Sequence, residues 1–559
     1  MKAIQKKLAE IYPEKDVEII ALSIKNLIGK YQNLVKPSTS QLTHKDIVLI
    51  AYGDHVKTDG EMPLQTLAKF ATKYLYDHID SIHILPFYPY SSDDGFSVID
   101  YYQVNPDLGT WQDVEALAKD YKLMFDAVVN HISSQSKWFQ GYLNGKEQYE
   151  NYFIEKSPDT DLSAVVRPRA LPLLSKFKDA KGNTRHIWTT FSQDQIDLNY
   201  ENPKVLLQVL DVLLFYISKG AKLLRLDAIG FLWKVPGTTS IHLPQTHSII
   251  QLVRLVLGQV SKEVTLVTET NVPHQENISY FGDGTNEAQM VYNFTLPPLL
   301  AFSLLKEDTK TLQAWAASLS LPSQQTCFFN FTASHDGVGV RPLQGIVPDA
   351  DIDFLAKTAK KHGGYISYKN NPDGSQSPYE LNCNYLDLIA HPDEEEGVRI
   401  KKMLLTQGVA LCMPGVPGIY FHSLVGSGNY KKGVEATGMK RTINREKLDY
   451  EVLCKELEAP NSFRAKLYKQ FLHLIDTRKK YQVFNPFGDF KFPKVHKNVF
   501  AIERVGETQK ILCLFNFSSK TIELDLGETS GENVLTGLNE NLKALKLKAW
   551  EQKWICLDA

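Results

Sequence analysis

Short apolar runs recur along this chain, each followed by a helix-length segment, and that alternation constrains the fold more than any other feature. The runs are "IVLIAY" (47–52), "IHILPF" (82–87), "KLMFDAVVN" (122–130), "AKLLRLD" (221–227), "EVTLVTE" (263–269), "CFFNFTASHD" (327–336) and "PGIYF" (417–421). Strands this apolar suit a parallel sheet covered by its own crossover helices. One unit can be read closely. Asn202 and Pro203 supply a cap and a first helical position, "KVLLQVLDVLLFYISK" carries a broad apolar face, and Gly220 ends the helix before the next strand. Seven or eight such units over roughly 430 residues predict an α/β chain folded as a (β/α)8 TIM barrel. A doubly wound sheet is the alternative, but no Gly-rich phosphate loop follows the first strand.

Three regions depart from the rhythm. Residues 151–199 lie between the third and fourth strands and read as an inserted subdomain, because a structureless loop of that length is improbable. Residues 340–395, with "NNPDGSQSPYELN", read as an irregular loop region. From 489 to 559 the pattern turns to β, in "VFAIERV", "KILCLFNFS", "TIELDLG" and "WEQKWICLD", which predicts an all-β C-terminal domain. The barrel would then occupy 46–150 and 200–488, preceded by a helical extension over 1–45 that ends in the polar stretch "KPSTSQLTH".

Composition excludes several function classes. There are 62 Lys and Arg against 64 Asp and Glu, a net charge of −2, so nothing indicates a surface for nucleic acid. No apolar run reaches membrane-spanning length, and "MKAIQKKLAEIYPEKD" lacks the apolar core of a signal peptide. The six cysteines form no CxxC pair, so they read as reduced thiols in a cytoplasmic protein.

The chemistry is carried by carboxylates just past strand ends: Asp227, Glu269 and Asp336. A lone Asp after a strand usually caps a loop; three at the mouth of one barrel ask for a common reason. Retaining glycoside chemistry supplies one. It needs a carboxylate nucleophile and a protonated carboxyl that serves as acid and then base, about 5–5.5 Å apart, and a third carboxylate can stabilise the cationic transition state. In "LLRLDAIGF" Arg225 stands two residues before Asp227 and would keep it ionised. Glu269 must hold a proton near neutrality, so its pKa is expected to be raised.

The motifs "DAVVNH", "RLDAIG", "TETN" and "SHDG", in that order, resemble glycoside hydrolase family 13, the α-amylase clan. "ILPFYPYSSDDGFSVIDY", "RPRALPLL" and "TINRE" narrow the resemblance to its sucrose phosphorylase subfamily. "IWTTFSQDQIDLNY", "NNPDGSQSPYELN" and "ETNVPH" look most like the glucosylglycerate phosphorylases within it. The resemblance implies Asp227 as nucleophile, Glu269 as acid/base and Asp336 as transition-state stabiliser. It implies that Asp93, Phe96, His131, Arg225 and His335 line the glucosyl pocket, and that Arg169, Tyr379 and Arg445 meet phosphate or the acceptor. Phe231 and Glu380 stand where sucrose phosphorylases usually carry Tyr and Gln, both on the acceptor side. A glycerate carboxylate would want a cationic partner, for which Lys234, His242 and Arg169 are candidates. The expected partners are small molecules: an α-glucoside, phosphate as co-substrate, glucose 1-phosphate and glycerate, with no cofactor and no required metal. Phosphorylases for glucosylglycerol, sucrose or sucrose 6′-phosphate are alternatives, as is an α-glucoside hydrolase or transglucosylase. A non-catalytic carbohydrate-binding protein on the same scaffold would have no need of a nucleophile and an acid together. Oligomeric state is not legible.

Overall fold

A computed structural model describes residues 1–35, 42–169, 171–371, 374–527 and 529–558. Eight parallel strands close into a barrel: β1 Val48–Ala51, β2 Ser81–Ile84, β3 Lys122–Ala127, β4 Ala221–Leu226, β5 Thr265–Thr268, β6 Met290–Tyr292, β7 Cys327–Phe331 and β8 Val416–Tyr420. They neighbour one another in chain order and β8 pairs with β1. Nearly every strand residue is buried, as expected where side chains fill the barrel interior on one face and meet the helices on the other.

Seven of these strands coincide with the apolar runs. β6 does not, because three residues are too short for any periodicity to register. The helix between β3 and β4, α3 (Pro203–Ser218), forms as its sequence dictates. The Asn202 side chain accepts from the Lys204 N–H at 3.0 Å, Pro203 opens the first turn, and Gly220, at φ 104°, releases the chain into β4.

The chain leaves the barrel between β3 and β4. The strands His131–Ser133 and Gln195–Asp197 pair antiparallel at the root of this excursion, and a second hairpin joins Leu174–Lys178 to Thr184–Trp188. It has its own small core of Ile154, Leu162, Val165, Leu173 and Trp188. The stretch 340–395, expected to be irregular, is instead ordered as a helix, Asp349–Lys361, and a hairpin, Tyr365–Asn370 with Gln376–Asn382. Polar residues and Pro378 disguise the hairpin; the ladder shifts register opposite that proline. Residues 372–373 of "NNPDGSQSPYELN" lie outside the described residues.

The N-terminal extension is two helices, α1 (Lys2–Ile11) and α2 (Glu14–Gln32). α1 packs on α4 (Pro244–Val260) and α2 on α3. Ile4, Leu8 and Ile24 are buried, and the Tyr12 hydroxyl donates to the Tyr200 carbonyl at 2.9 Å. The "KPSTSQL" part of the expected linker falls mainly on 36–41, outside the described residues. At the other end a six-stranded sheet covers the barrel's flank, built from Asp489–Lys491, Val499–Val505, Gln509–Asn516, Gln552–Asp558, Ser530–Asn533 and Leu538–Asn541 in that spatial order. Buried Arg504 joins it to the barrel by donating to the Cys412 and Met413 carbonyls, both at 3.1 Å, at the end of the helix that leads to β8.

Candidate active site

Parallel pairing decides which side chains meet at the barrel mouth. Leu226 of β4 stands opposite Thr268 of β5, so the next residues, Asp227 and Glu269, emerge side by side. Asp126 of β3 is level with Arg225 of β4, and His83 lies on neighbouring β2. A buried chain of charges results. His83 Nε2 lies 2.6 Å from Asp126 Oδ2, Asp126 Oδ1 pairs with Arg225 Nη1, and the same Nη1 reaches Asp227 Oδ1 at 2.8 Å. Arg225 Nη2 stands 3.9 Å from Glu269 Oε2. The guanidinium also faces the rings of Phe96 and Tyr292, at 5.6 and 5.4 Å.

That asymmetry separates the two carboxyls. Burial pushes both upward; Arg225 opposes it and lies closer to Asp227, so its field favours charge there. Glu269, desolvated and facing the charges of Asp227 and Asp336, is pushed up to about 7. Ala228, which follows Asp227 at the start of the loop after β4, is left-handed at φ 48° and turns its N–H onto Glu269 Oε2 at 3.0 Å. A non-glycine residue in that region costs on the order of 1 kcal/mol, which the surrounding packing has to hold.

Opposite this pair, Asp93, Asp94 and Gly95 follow one another with positive φ. Gly95 is required there, since a Cβ would stand 2.5 Å from the Pro86 carbonyl oxygen. The turn presents Asp93 to the cavity. Burial pushes its carboxyl up, but Arg169, Arg441 and Arg445 overcome this and hold it well below the usual carboxylate range. Phe96, next in the chain, stacks on His335 with ring centres 4.6 Å apart. Burial lowers the pKa of both His335 and His131, which keeps them as neutral imidazoles at the cavity wall.

The structure therefore gathers Asp93, Phe96, His131, Arg169, Asp227, Glu269, His335, Asp336 and Tyr379 around one cavity. Four other expected residues are placed differently. Arg225 lies behind Asp227. Arg445 is buried behind the wall, where Nε donates to the His335 carbonyl at 2.8 Å and Nη1 pairs with Asp94 at 2.8 Å. It holds the wall in place and does not line the cavity. Glu380 is also behind it, gripped by Arg441 through contacts of 3.0 and 2.6 Å. Phe231 lines an adjoining cavity that opens beside Glu269.

Lys234 requires a correction. Its ammonium is buried away from this cavity, 2.8 Å from Asp197 Oδ2 and 3.0 Å from Asn130 Oδ1, where it ties the root of the excursion to the loop after β4. A lysine held by a carboxylate and an amide oxygen in the interior is committed to them and does not reach an acceptor. His242, the other candidate on that loop, lies 2.6 Å from the Tyr280 hydroxyl and 3.2 Å from Glu276.

Arg441 also lines the cavity, and motif reading missed it. Besides its fork on Glu380 it pairs with Asp336 Oδ1 at 2.7 Å. It stands four residues before Arg445, just ahead of "TINRE", and the 3-10 turn Lys440–Asn444 brings both to the same wall. Two arginines at that spacing were the available signal. Asn271, two residues after Glu269 in "TETN", borders both cavities.

Comparison with known proteins agrees with this architecture. The Alpha-amylase family model, for the α-amylase catalytic domain, matches residues 72–337. The glucosylglycerate phosphorylase of Spirochaeta thermophila is 49% identical over 85% of this chain and 81% of its own. That of Escherichia coli is 43% identical over 91% of each. The crystal structure of sucrose 6F-phosphate phosphorylase from Thermoanaerobacter thermosaccharolyticum superposes with a TM-score of 0.76 at 23% identity, covering 92% of this chain and all of that one. The chain belongs to the α-amylase family, glycoside hydrolase family 13, in the branch formed by the glucosylglycerate phosphorylases.

Proposed function

We propose that this protein is a retaining α-glucoside phosphorylase that interconverts 2-O-α-glucosylglycerate and phosphate with α-glucose 1-phosphate and glycerate. Asp227 attacks the anomeric carbon. The bond to the glycerate oxygen breaks, and Glu269 gives that oxygen its proton. The resulting β-glucosyl ester on Asp227 is attacked by a phosphate oxygen, Glu269 takes the phosphate's proton, and the ester bond breaks with net retention. Asp336 faces the developing positive charge, and its pairing with Arg441 holds it in place. Asp93, the stacked Phe96–His335 pair and His131 bind the glucosyl ring from the opposite wall.

The observation that carries the reading is the unequal reach of Arg225, 2.8 Å from Asp227 and 3.9 Å from Glu269, with Glu269 pushed up to about 7. One carboxyl is prepared to attack and the other to donate. The kinship supplies the acceptor: the relatives above are named for glucosylglycerate. Phosphate is an anion, and Arg169 and Arg441 line the cavity it must reach.

Phosphate release from glucose 1-phosphate tests this, with glycerate, glycerol, fructose, fructose 6-phosphate and no acceptor run side by side. Fastest release with glycerate is expected. Equal release in every tube means a hydrolase and ends the phosphorylase reading.

A further inference from the structure

Beside Glu269 the site continues into a second cavity, whose walls include Phe191, Phe231, Ile241, Val272, Tyr379 and Arg341. Glu269 borders both spaces, so this second cavity is open to a group that leaves with its proton. Among the described residues the charged side chains lining the second cavity are Glu269 and Arg341 alone.

The other cations near the mouth are committed. Arg441 is shared between Glu380 and Asp336, Arg445 between the His335 carbonyl and Asp94, and Arg169 contacts Asp93 at 3.3 Å. Arg341 is not. Its nearest carboxylate is Glu276, 3.8 Å from Nη2, and that oxygen is already engaged by His242 at 3.2 Å. Among the described residues its guanidinium makes no closer ion pair. Its side chain is 16% exposed. Lys369 adds to the imbalance: burial first, and then the charge of Arg341, lower its pKa. A five-donor fork at a largely uncharged cavity wall, with no carboxylate nearer than 3.8 Å, is a site for a carboxylate.

The backbone fixes Arg341 in that position. It follows Asp336 by five residues, through the short strand Val338–Gly339, which pairs with Glu380 and Leu381 of the hairpin. The Val340 N–H donates to the Tyr379 carbonyl at 3.1 Å. Gly339 lies so close to Asn271 that a Cβ would stand 2.4 Å from its amide. One loop thus carries both Asp336, on the first cavity, and Arg341, on the second.

We propose that Arg341 receives the carboxylate of the acceptor and is the residue that selects glycerate over neutral polyols. This rests on the phosphorylase reading above. Arg341 and Glu269 line the same cavity, so an acceptor held by its carboxylate at one lies in the space bordered by the other.

The test is the ratio of kcat/KM for glycerate to that for glycerol, measured as phosphate release from glucose 1-phosphate. In Arg341→Leu that ratio is expected to fall on the order of 10- to 100-fold, the value of one charged hydrogen-bonded contact. Arg341→Lys keeps the charge, loses the fork, and should fall between the two; it serves the same comparison if the leucine variant folds poorly. A wild-type preference for glycerate that survives in both variants overturns the assignment alone. So does a rise in KM confined to phosphate in the phosphorolytic direction, which would make Arg341 the phosphate's partner. A wild-type enzyme without that preference overturns the phosphorylase reading and the assignment together.

Discussion

The two halves of the site are built from different material. On the glucosyl side, His83, Asp126, Arg225, Asp227 and Glu269 sit on barrel strands or one residue past them, with side chains no more than 11% exposed. On the acceptor side, Arg169 comes from the excursion after β3, Arg341 from the loop after β7, Tyr379 from the hairpin, and Arg441 from the turn after β8. Their arginines are 16% to 31% exposed. Strand pairing sets the first group to within a residue's register, so its geometry is as rigid as the barrel. The second group is positioned by loops packing on loops, which can be exchanged without disturbing the strands. Bond-breaking should therefore depend on the first group and the choice of acceptor on the second.

The largest effect should come from the strand side. Asp227→Asn removes the nucleophile and should lower turnover on the order of 10⁴-fold or more. Arg225 keeps Asp126 as a partner, so the variant should fold, and circular dichroism with an activity assay checks both. Turnover within tenfold of wild type would remove the ester intermediate from the mechanism.

Glu269→Gln follows, with an expected loss of roughly 10²- to 10⁴-fold for a glycerate leaving group. An activated leaving group, such as a nitrophenolate, needs no proton and should be spared in the first step. Because the carboxyl is pushed up to about 7, wild-type kcat/KM for glucosylglycerate should decline as pH rises through that value and the acid form is lost. Equal damage with both substrates would contradict the acid role.

Lys234→Met sharpens the comparison from between the two halves. It leaves buried Asp197 without its cation, and losing one partner of a buried pair costs about 3–5 kcal/mol. Denaturant titration should show that loss, while the ratio of glycerate to glycerol use in the folded enzyme stays unchanged. A shifted ratio would return Lys234 to the acceptor site.

The same division explains what could be read from the chain. Asp227, Glu269 and Asp336 were legible because each ends an apolar run, and runs of that kind have one place in a parallel barrel. Arg445 had a motif to point to it, yet its role turned on three-dimensional packing that no motif carries: its donors face the His335 carbonyl and Asp94. Arg441 and Arg341 lie in loops without periodicity, and only the folded hairpin brings them to the cavity. β6 was invisible for a different reason, since Met290–Tyr292 is held as a strand by its neighbours β5 and β7 on either side. Lys234 shows the reverse error, a cation near the right motif whose partners, Asn130 and Asp197, lie far off in sequence.

The smallest effect concerns stability and follows from the strand side alone. A carboxyl raised from 4.5 to about 7 by folding is protonated in the native state while the unfolded chain has already ionised. Between those two values the native state binds more protons, so stability falls as pH rises through the window. Burial pushes Asp227 in the same direction. The whole Glu269 contribution is about 3 kcal/mol, fully present below pH 4.5 and lost as pH rises past 7. Glutamine cannot ionise, so Glu269→Gln should lose less stability than wild type between pH 5 and pH 8, by up to that amount. Denaturant midpoints at the two pH values measure it. Parallel pH profiles for wild type and variant would mean that the acid is not strained by its burial, and that the strand side of the site is less tightly closed than the loops around it.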